Sequence, residues 1–471
     1  MKDMKRMVGC TVLMLAIFTI MAQSADAQGE PAGDVQGDEL AAADVTAGDV
    51  QAELDREMNR TQPDYVVYRP GSLDGSTFDT GNEHFLAFDG PDGSLMAVWT
   101  QSSYENAGNH RIVFARSEDE GVTWTAPKHL VGPRRPGEEA IASWGFPLVS
   151  RSGRIYVLYN QSQGVTDVAP AMTGTMDAIY SDDMGRTWSE PKTVPLPRSP
   201  YDHPDAAIPP NWIVWQMPMR DRGGRYIAGF TRWVSEPVRT RPHSGCWTAW
   251  ESLVQFMRFE NIDDDPAPTD IRVTILAAGN DALRVPHYTN PMLSVAQEPS
   301  LVYLPDGRLF CTMRTMSGFI WYSVSDDDGQ TWLNPRPLLR RDHGSPILQP
   351  LCCCPIYEYE RGRYVLLHHN NDGRLEGFQP EDTCHNRRPA FIALGEFRPD
   401  ADQPIWFSES KQLMDIDNVP LGPGRRRDVA AYTSATRRQG NFVLWYPDRK
   451  FFLLGRRITD SWLSDLEVPA P

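Results

Sequence analysis

The chain has 471 residues, 41% hydrophobic and 23% charged, with a net charge of −16. That length suits one large core or two domains and excludes a peptide hormone or a disulfide-stapled mini-domain. The acidic balance argues against a nucleic-acid groove or a polybasic membrane surface. Of the 46 basic residues 40 are Arg, so a single Arg is informative only by its position.

The N-terminus opens with Lys2, Lys5 and Arg6, then the apolar run Val8 to Ala22, then Ala25-Asp26-Ala27. This pattern predicts a signal peptide over 1–27, cleaved after Ala27, and a secreted or periplasmic protein. The apolar run is too short for a stable membrane span. Residues 28–63 read as an acidic flexible linker. Positions 28–60 hold nine acidic residues against Arg56 and Arg60, and no aromatic residue from which to build a core.

From residue 64 onward two repeats organise the chain. The pattern Ser-x-Asp-x-Gly-x-Thr-Trp occurs three times, at Ser117–Trp124, Ser181–Trp188 and Ser325–Trp332, each followed by Pro three residues later. Short polar side chains that bond a turn backbone, a Gly for positive φ and a Trp to bury predict a structural staple between strands. The carboxylates of these boxes are therefore read as structural. A second repeat is a Gly turn between apolar strands, at Gly93, Gly153, Gly224, Gly307, Gly362 and Gly440, with a mean interval of 69 residues. Hairpin followed by box gives a four-stranded unit, and six units predict a closed β-propeller over 64–471. Asp64–Tyr68 could return to pair with the last blade and close the ring.

The Gly repeat also locates the mouth. Nine residues before the Gly stand His84, Trp144, Trp215, Glu298 and Cys353, and eight before the last stands Tyr432. First strands line a propeller's axis, so these six should ring one opening. Seven after the Gly stand Thr100, Asn160, Thr231, Arg314, His369 and Pro447, a second ring on the same face. Such a set suits a polar sugar pocket.

The boxes resemble the aspartate-box repeats of the sialidase (neuraminidase) superfamily, whose catalytic domain is a six-bladed propeller. The resemblance covers roughly 64–460. It implies a tyrosine nucleophile, a glutamate that activates it, three arginines that clamp a substrate carboxylate and an aspartate acid. Glu298 in Gln297-Glu298-Pro299 and Arg314 in Met313-Arg314-Thr315 resemble the glutamate and second arginine. Tyr432 resembles the nucleophile, and Arg387 or Arg388 the third arginine. Two positions depart from the pattern. His84 stands where the first arginine is expected. The loop Gln101–His110, where the acid is expected, holds no Asp, leaving Glu105 and His110 as candidates.

What survives is an exo-glycosidase on an anionic sugar, with Tyr432 and Glu298 as the attacking pair and Arg314 with Arg388 or Arg387 as the clamp. Trp144, Trp215 and His369 would contact the sugar. Two alternatives remain open. A polysaccharide lyase could use His84, His110 or Tyr432 to remove the proton beside a uronate carboxylate. A non-catalytic glycan-binding propeller is the other. The expected partner in each case is a glycan or polysaccharide carrying a carboxylate, bound by a monomer. No cofactor is required by this chemistry. Cys352–Cys354, His368, His369, Cys384 and His385 allow a Zn site in blade five, at a spacing that matches no standard motif, or a disulfide such as Cys354 to Cys384.

Overall fold

A computed structural model describes residues 47–138, 140–239 and 246–470. The signal-peptide expectation and the first part of the expected linker lie outside the described residues. The second part is not a linker. Ala47–Met58 form an α-helix, continued by a 3-10 turn over Asn59–Thr61. Val50, Leu54 and Met58 recur every four residues and so share one helix face. They pack into a cluster with Tyr446, Phe452 and Leu454 of the last blade. A narrow apolar stripe is enough to dock a helix on an existing core, without aromatic residues. Glu57 anchors it: fully buried Arg449 donates to Glu57 Oε2 at 2.7 Å and to the Glu57 carbonyl at 2.8 Å.

The rest is the expected six-bladed propeller. Blade one comprises Gly81–Asp89, Leu95–Ser102, Arg111–Ser117 and Lys128–Val131, and blade two Ala142–Val149, Ile155–Ser162, Gly174–Ser181 and Lys192–Thr193. Blade three is built on Trp212–Ile213, Tyr226–Trp233, Ser252–Phe259 and Val273–Leu276, and blade four on Ala296–Tyr303, Leu309–Thr315, Trp321–Ser325 and Arg336–Pro337. Blade five holds Ile356–Glu360, Arg363–His368, Ala390–Phe397 and Ile405–Phe407. Blades three and five each carry one extra short strand, Met219–Arg220 and Lys411–Met414. Blade six joins Ser434–Arg438, Asn441–Asp448 and Phe452–Ile458 to Tyr65–Tyr68, which pairs antiparallel with the last of them and closes the ring.

The three boxes share one hydrogen-bond pattern. In the first, Asp119 Oδ1 accepts from the Thr123 N–H at 2.8 Å and from Ser117 Oγ at 2.9 Å, and Oδ2 accepts from Thr123 Oγ1 at 2.6 Å. Ser117 Oγ in turn accepts from the Gly121 N–H at 2.9 Å. Asp183 and Asp327 repeat every one of these bonds. Gly121 needs its positive φ, and a Cβ there would sit 2.6 Å from the Trp445 ring.

At the mouth the first strands are distorted in a common way. His84, Trp144 and Glu298 lie at register breaks in their blades and have φ of 51°, 60° and 45°. Tyr432, just before its strand, has φ of 64°. Positive φ in non-Gly residues is strained and holds only where the surroundings impose it. Here the preceding blade does so. Thr100 Oγ1 accepts the Trp144 N–H at 2.9 Å, and Thr231 Oγ1 accepts the Glu298 N–H at 2.7 Å. Two threonines of the second ring thus hold Trp144 and Glu298 of the first.

Candidate active site

Glu298 and Arg314 face each other across the first two strands of blade four, and Tyr432 reaches them from the opening of blade six. Tyr432 Oη donates to Glu298 Oε1 at 3.0 Å. One Arg314 nitrogen, Nη1, donates to the same carboxylate oxygen at 2.6 Å and to Tyr432 Oη at 3.1 Å. All three side chains are buried. Burial and the Glu298 charge push the phenol well above its ordinary range. Glu298 Oε2 has no hydrogen-bond partner, so the carboxylate keeps an acceptor in reserve.

His84 stacks on Tyr432 with ring centroids 4.4 Å apart and packs against Trp144 at 3.9 Å. Burial, with the Lys450 charge, holds its imidazole neutral, and its Nδ1 is unpartnered. His84, Glu105, Trp144, Glu298, Arg314, Arg387 and Tyr432 share one cavity with Met172, Ile213, Trp233, Thr248 and Thr383. Its volume is about 20 Å³, room for roughly one water, so a sugar ring enters only if lining side chains move.

Four expected site residues stand elsewhere. Arg388, in the irregular segment before the strand Ala390–Phe397, turns away to Glu376. Arg387 lines the cavity instead, 5.9 Å from the Tyr432 ring centroid, with two of its nitrogens on the Leu351 carbonyl. His369 donates from Nε2 to the Val429 carbonyl at 3.0 Å and does not line the cavity. Trp215 is fully buried, edge-on to Tyr432 at 6.1 Å, as support rather than sugar platform. His110 lies behind Trp144, accepts the Asn106 N–H on Nε2 and donates from Nδ1 to Ser143 Oγ at 3.0 Å. Burial takes its pKa down to about 4.

The sequence reading missed a buried charge network beside the cavity. Lys450 donates to Glu105 Oε1 at 2.6 Å and to Glu83 Oε2 at 2.7 Å, and its Nζ lies 4.8 Å from the Tyr432 ring centroid. Arg426 bonds Glu105 and grips Asp428 with two bonds of 2.8 and 2.7 Å. The two glutamates differ sharply. Burial acts to raise Glu105, but Arg426 and Lys450 outweigh it and hold that carboxylate far below its usual range. Burial also raises Glu83, the Glu105 charge reinforces it, and Lys450 with a smaller contribution from Arg426 does not outweigh them, so its pKa is pushed up to about 7. Its Oε1 has no hydrogen-bond partner. Glu83 directly precedes His84 at the strand distortion, and Lys450 lies three residues past the second-ring position Pro447. An alignment on one position per strand passes over both.

Cys311 in blade four and Cys352, Cys353, Cys354 and Cys384 in blade five are free thiols, so the Cys354–Cys384 disulfide is not formed. Cys353 Sγ instead accepts the Tyr432 N–H at 3.1 Å. Among the described residues no three His, Cys, Asp or Glu side chains gather closely enough to hold a metal ion.

Six closed blades, three aspartate boxes and a buried Tyr–Glu–Arg cluster at the hub define a propeller of sialidase architecture. Residues 93–349 match the family described as BNR repeat-like domain, which is more than half of the chain. The chain belongs to that family. No curated protein matches it by sequence. Among solved structures it is similar to a Hadza microbial sialidase, at 15% identity and a TM-score of 0.53 over 83% of this chain and 67% of the other. It is also similar to an intramolecular trans-sialidase from Ruminococcus gnavus, at 14% identity and 0.52 over 84% and 97%. The NanB sialidase from Streptococcus pneumoniae follows at 12% identity and 0.54 over 84% and 69%. At these identities the likeness is one of fold. Among the described residues no helix is long and apolar enough to cross a membrane.

Proposed function

We propose that this protein is an exo-glycosidase acting on a sugar that carries a carboxylate. The observation that carries the reading is the convergence of Tyr432, Glu298 and Arg314 on one shared oxygen, from blades four and six. In the proposed step Tyr432 Oη attacks the anomeric carbon while its proton passes to Glu298. Without that acceptor a phenol raised by burial would stay inert. Arg314 and Arg387 hold the substrate carboxylate through planar forks. Lys450 bridges the two glutamates, so Glu83 gives a proton to Lys450 as Lys450 gives one to Glu105, and Glu105 protonates the leaving oxygen at the cavity wall. Water then attacks the anomeric carbon of the glycosyl-tyrosine, its proton passing back through Glu105 and Lys450 to Glu83, while Glu298 returns its proton to the departing Tyr432 oxygen.

A second reading rests on His84. Its neutral imidazole, with an unpartnered Nδ1 stacked on Tyr432, is a competent base for elimination beside a uronate carboxylate.

The test is product analysis on a panel of sialylated and uronate-bearing glycans. Release of a free acidic sugar supports the glycosidase. New ultraviolet absorbance from an unsaturated uronate supports the lyase and overturns the first reading, and binding without any product overturns both.

A further inference from the structure

A second cavity, sharing no residue with the first, lies on the outer part of blade three. It measures about 350 Å³ and is lined by Pro197–Pro200, Arg232, Gln255, Val273–Ile275, Ala278 and Gly279. That is within the size range of small-molecule sites. Arg232 and Trp233 are neighbours on one strand, so their side chains leave it on opposite sides. Trp233 goes to the Tyr432 cavity and Arg232 to this one.

Arg232 is fully buried. Its Nε donates to Gln255 Oε1 at 2.7 Å and its Nη1 to Asp202, while its Nη2 has no hydrogen-bond partner. A buried guanidinium donor left unmade is costly, and unpaired donors in native interiors are few. Asp202 cancels one positive charge. Arg198, which also lines the pocket, approaches Asp202 only to 3.8 Å and is 40% exposed. The pocket therefore has a net charge of about +1 from these three groups. The lining also includes the apolar side chains of Pro197, Pro200, Val273 and Ile275.

We propose that this pocket is a second binding site, separate from the Tyr432 cavity, for a carboxylate-bearing molecule of monosaccharide size. The carboxylate would take the free Arg232 Nη2 and the Arg198 charge, and a ring C–H face would lie on the proline and aliphatic side chains. The site involves no reaction and stands whether or not the glycosidase reading does.

Binding of D-glucuronate to the whole protein, followed by titration calorimetry and by crystal soaking, tests it. D-Glucose lacks the carboxylate and acetate lacks the ring. Glucuronate is expected in density against Arg232, with glucose absent and acetate about tenfold weaker. Arg232→Lys keeps the charge beside Asp202 but loses the planar fork, and should weaken glucuronate about tenfold. Ala278→Trp fills the pocket from its exposed lip and should abolish binding there, with an unchanged melting temperature. Tyr432→Phe should leave it intact. Glucose binding as tightly as glucuronate would overturn the carboxylate assignment, and acetate binding as tightly would overturn the sugar-sized one. No density against Arg232, or full affinity in Ala278→Trp, would overturn the site itself.

Discussion

Replacing Tyr432 by Phe removes one hydroxyl and leaves the ring stacked on His84. The account predicts that turnover falls about 10³-fold or more, with melting temperature little changed, because the nucleophile is lost and the Glu298–Arg314 pair remains. Steady-state kinetics beside thermal unfolding checks this. The pH profile probes Glu83. Its folded pKa of about 7 lies above its unfolded value, so the protonated form is favoured in the folded protein. Its contribution to stability is complete below the unfolded pKa and lost as pH rises to about 7. As proton source it should give a rate that falls above about pH 7, and Glu83→Gln should remove that descending limb along with most of the rate. A limb that persists in Glu83→Gln would assign it to another group. At this scale, residues that recur once per blade were legible in the sequence: His84, Glu298, Arg314 and Tyr432 all reach one cavity. The choice between Arg387 and Arg388 was not, because it depends on which side of the chain each leaves. Glu83 and Lys450 were not, because a strand distortion and a turn deliver them.

At the scale of elements, the boxes and the N-terminal helix make separate predictions. Asp183 accepts from Thr187 and Ser181, and these bonds lower its pKa to about 2. The stabilisation is present above the unfolded value of about 3.9 and lost as pH falls through about 2. Asp183→Ala should lower the melting temperature and leave kcat/KM of the folded enzyme unchanged, since the box bonds are local to its own turn. A stable but inactive variant would contradict the structural reading of the boxes. The helix Ala47–Met58 should prove part of the propeller's stability. Glu57→Ala removes one of the two carboxylates that Arg449 pairs with in the core, Asp448 being the other, so the loss should be about 2 kcal/mol in urea unfolding. A loss near zero would contradict the docking described. This helix escaped the sequence reading because acidic composition and absent aromatics pointed to a linker. The spacing of Val50, Leu54 and Met58 was the available signal, and three residues are a faint stripe.

For the whole molecule, the repeat period carried the architecture. Six glycine turns between apolar strands pointed to six blades, and ring closure required a strand from the far end of the chain. Tyr65–Tyr68 supplies it on Phe452–Ile458. Removing residues 47–68 should leave blade six with three strands and an open edge, and the protein should aggregate or unfold over a broad transition. Chemistry was less legible than fold, because closing a ring constrains every repeat whereas a site depends on a few side chains at its hub. The central claim is that Tyr432 attacks the sugar. Incubation with a fluorinated, carboxylate-bearing glycosyl fluoride, followed by intact-mass measurement and peptide mapping, tests it directly. The account predicts one added glycosyl mass, mapped to Tyr432 and absent from Tyr432→Phe. A substrate turned over with no adduct at Tyr432, and at an undiminished rate in Tyr432→Phe, would contradict it.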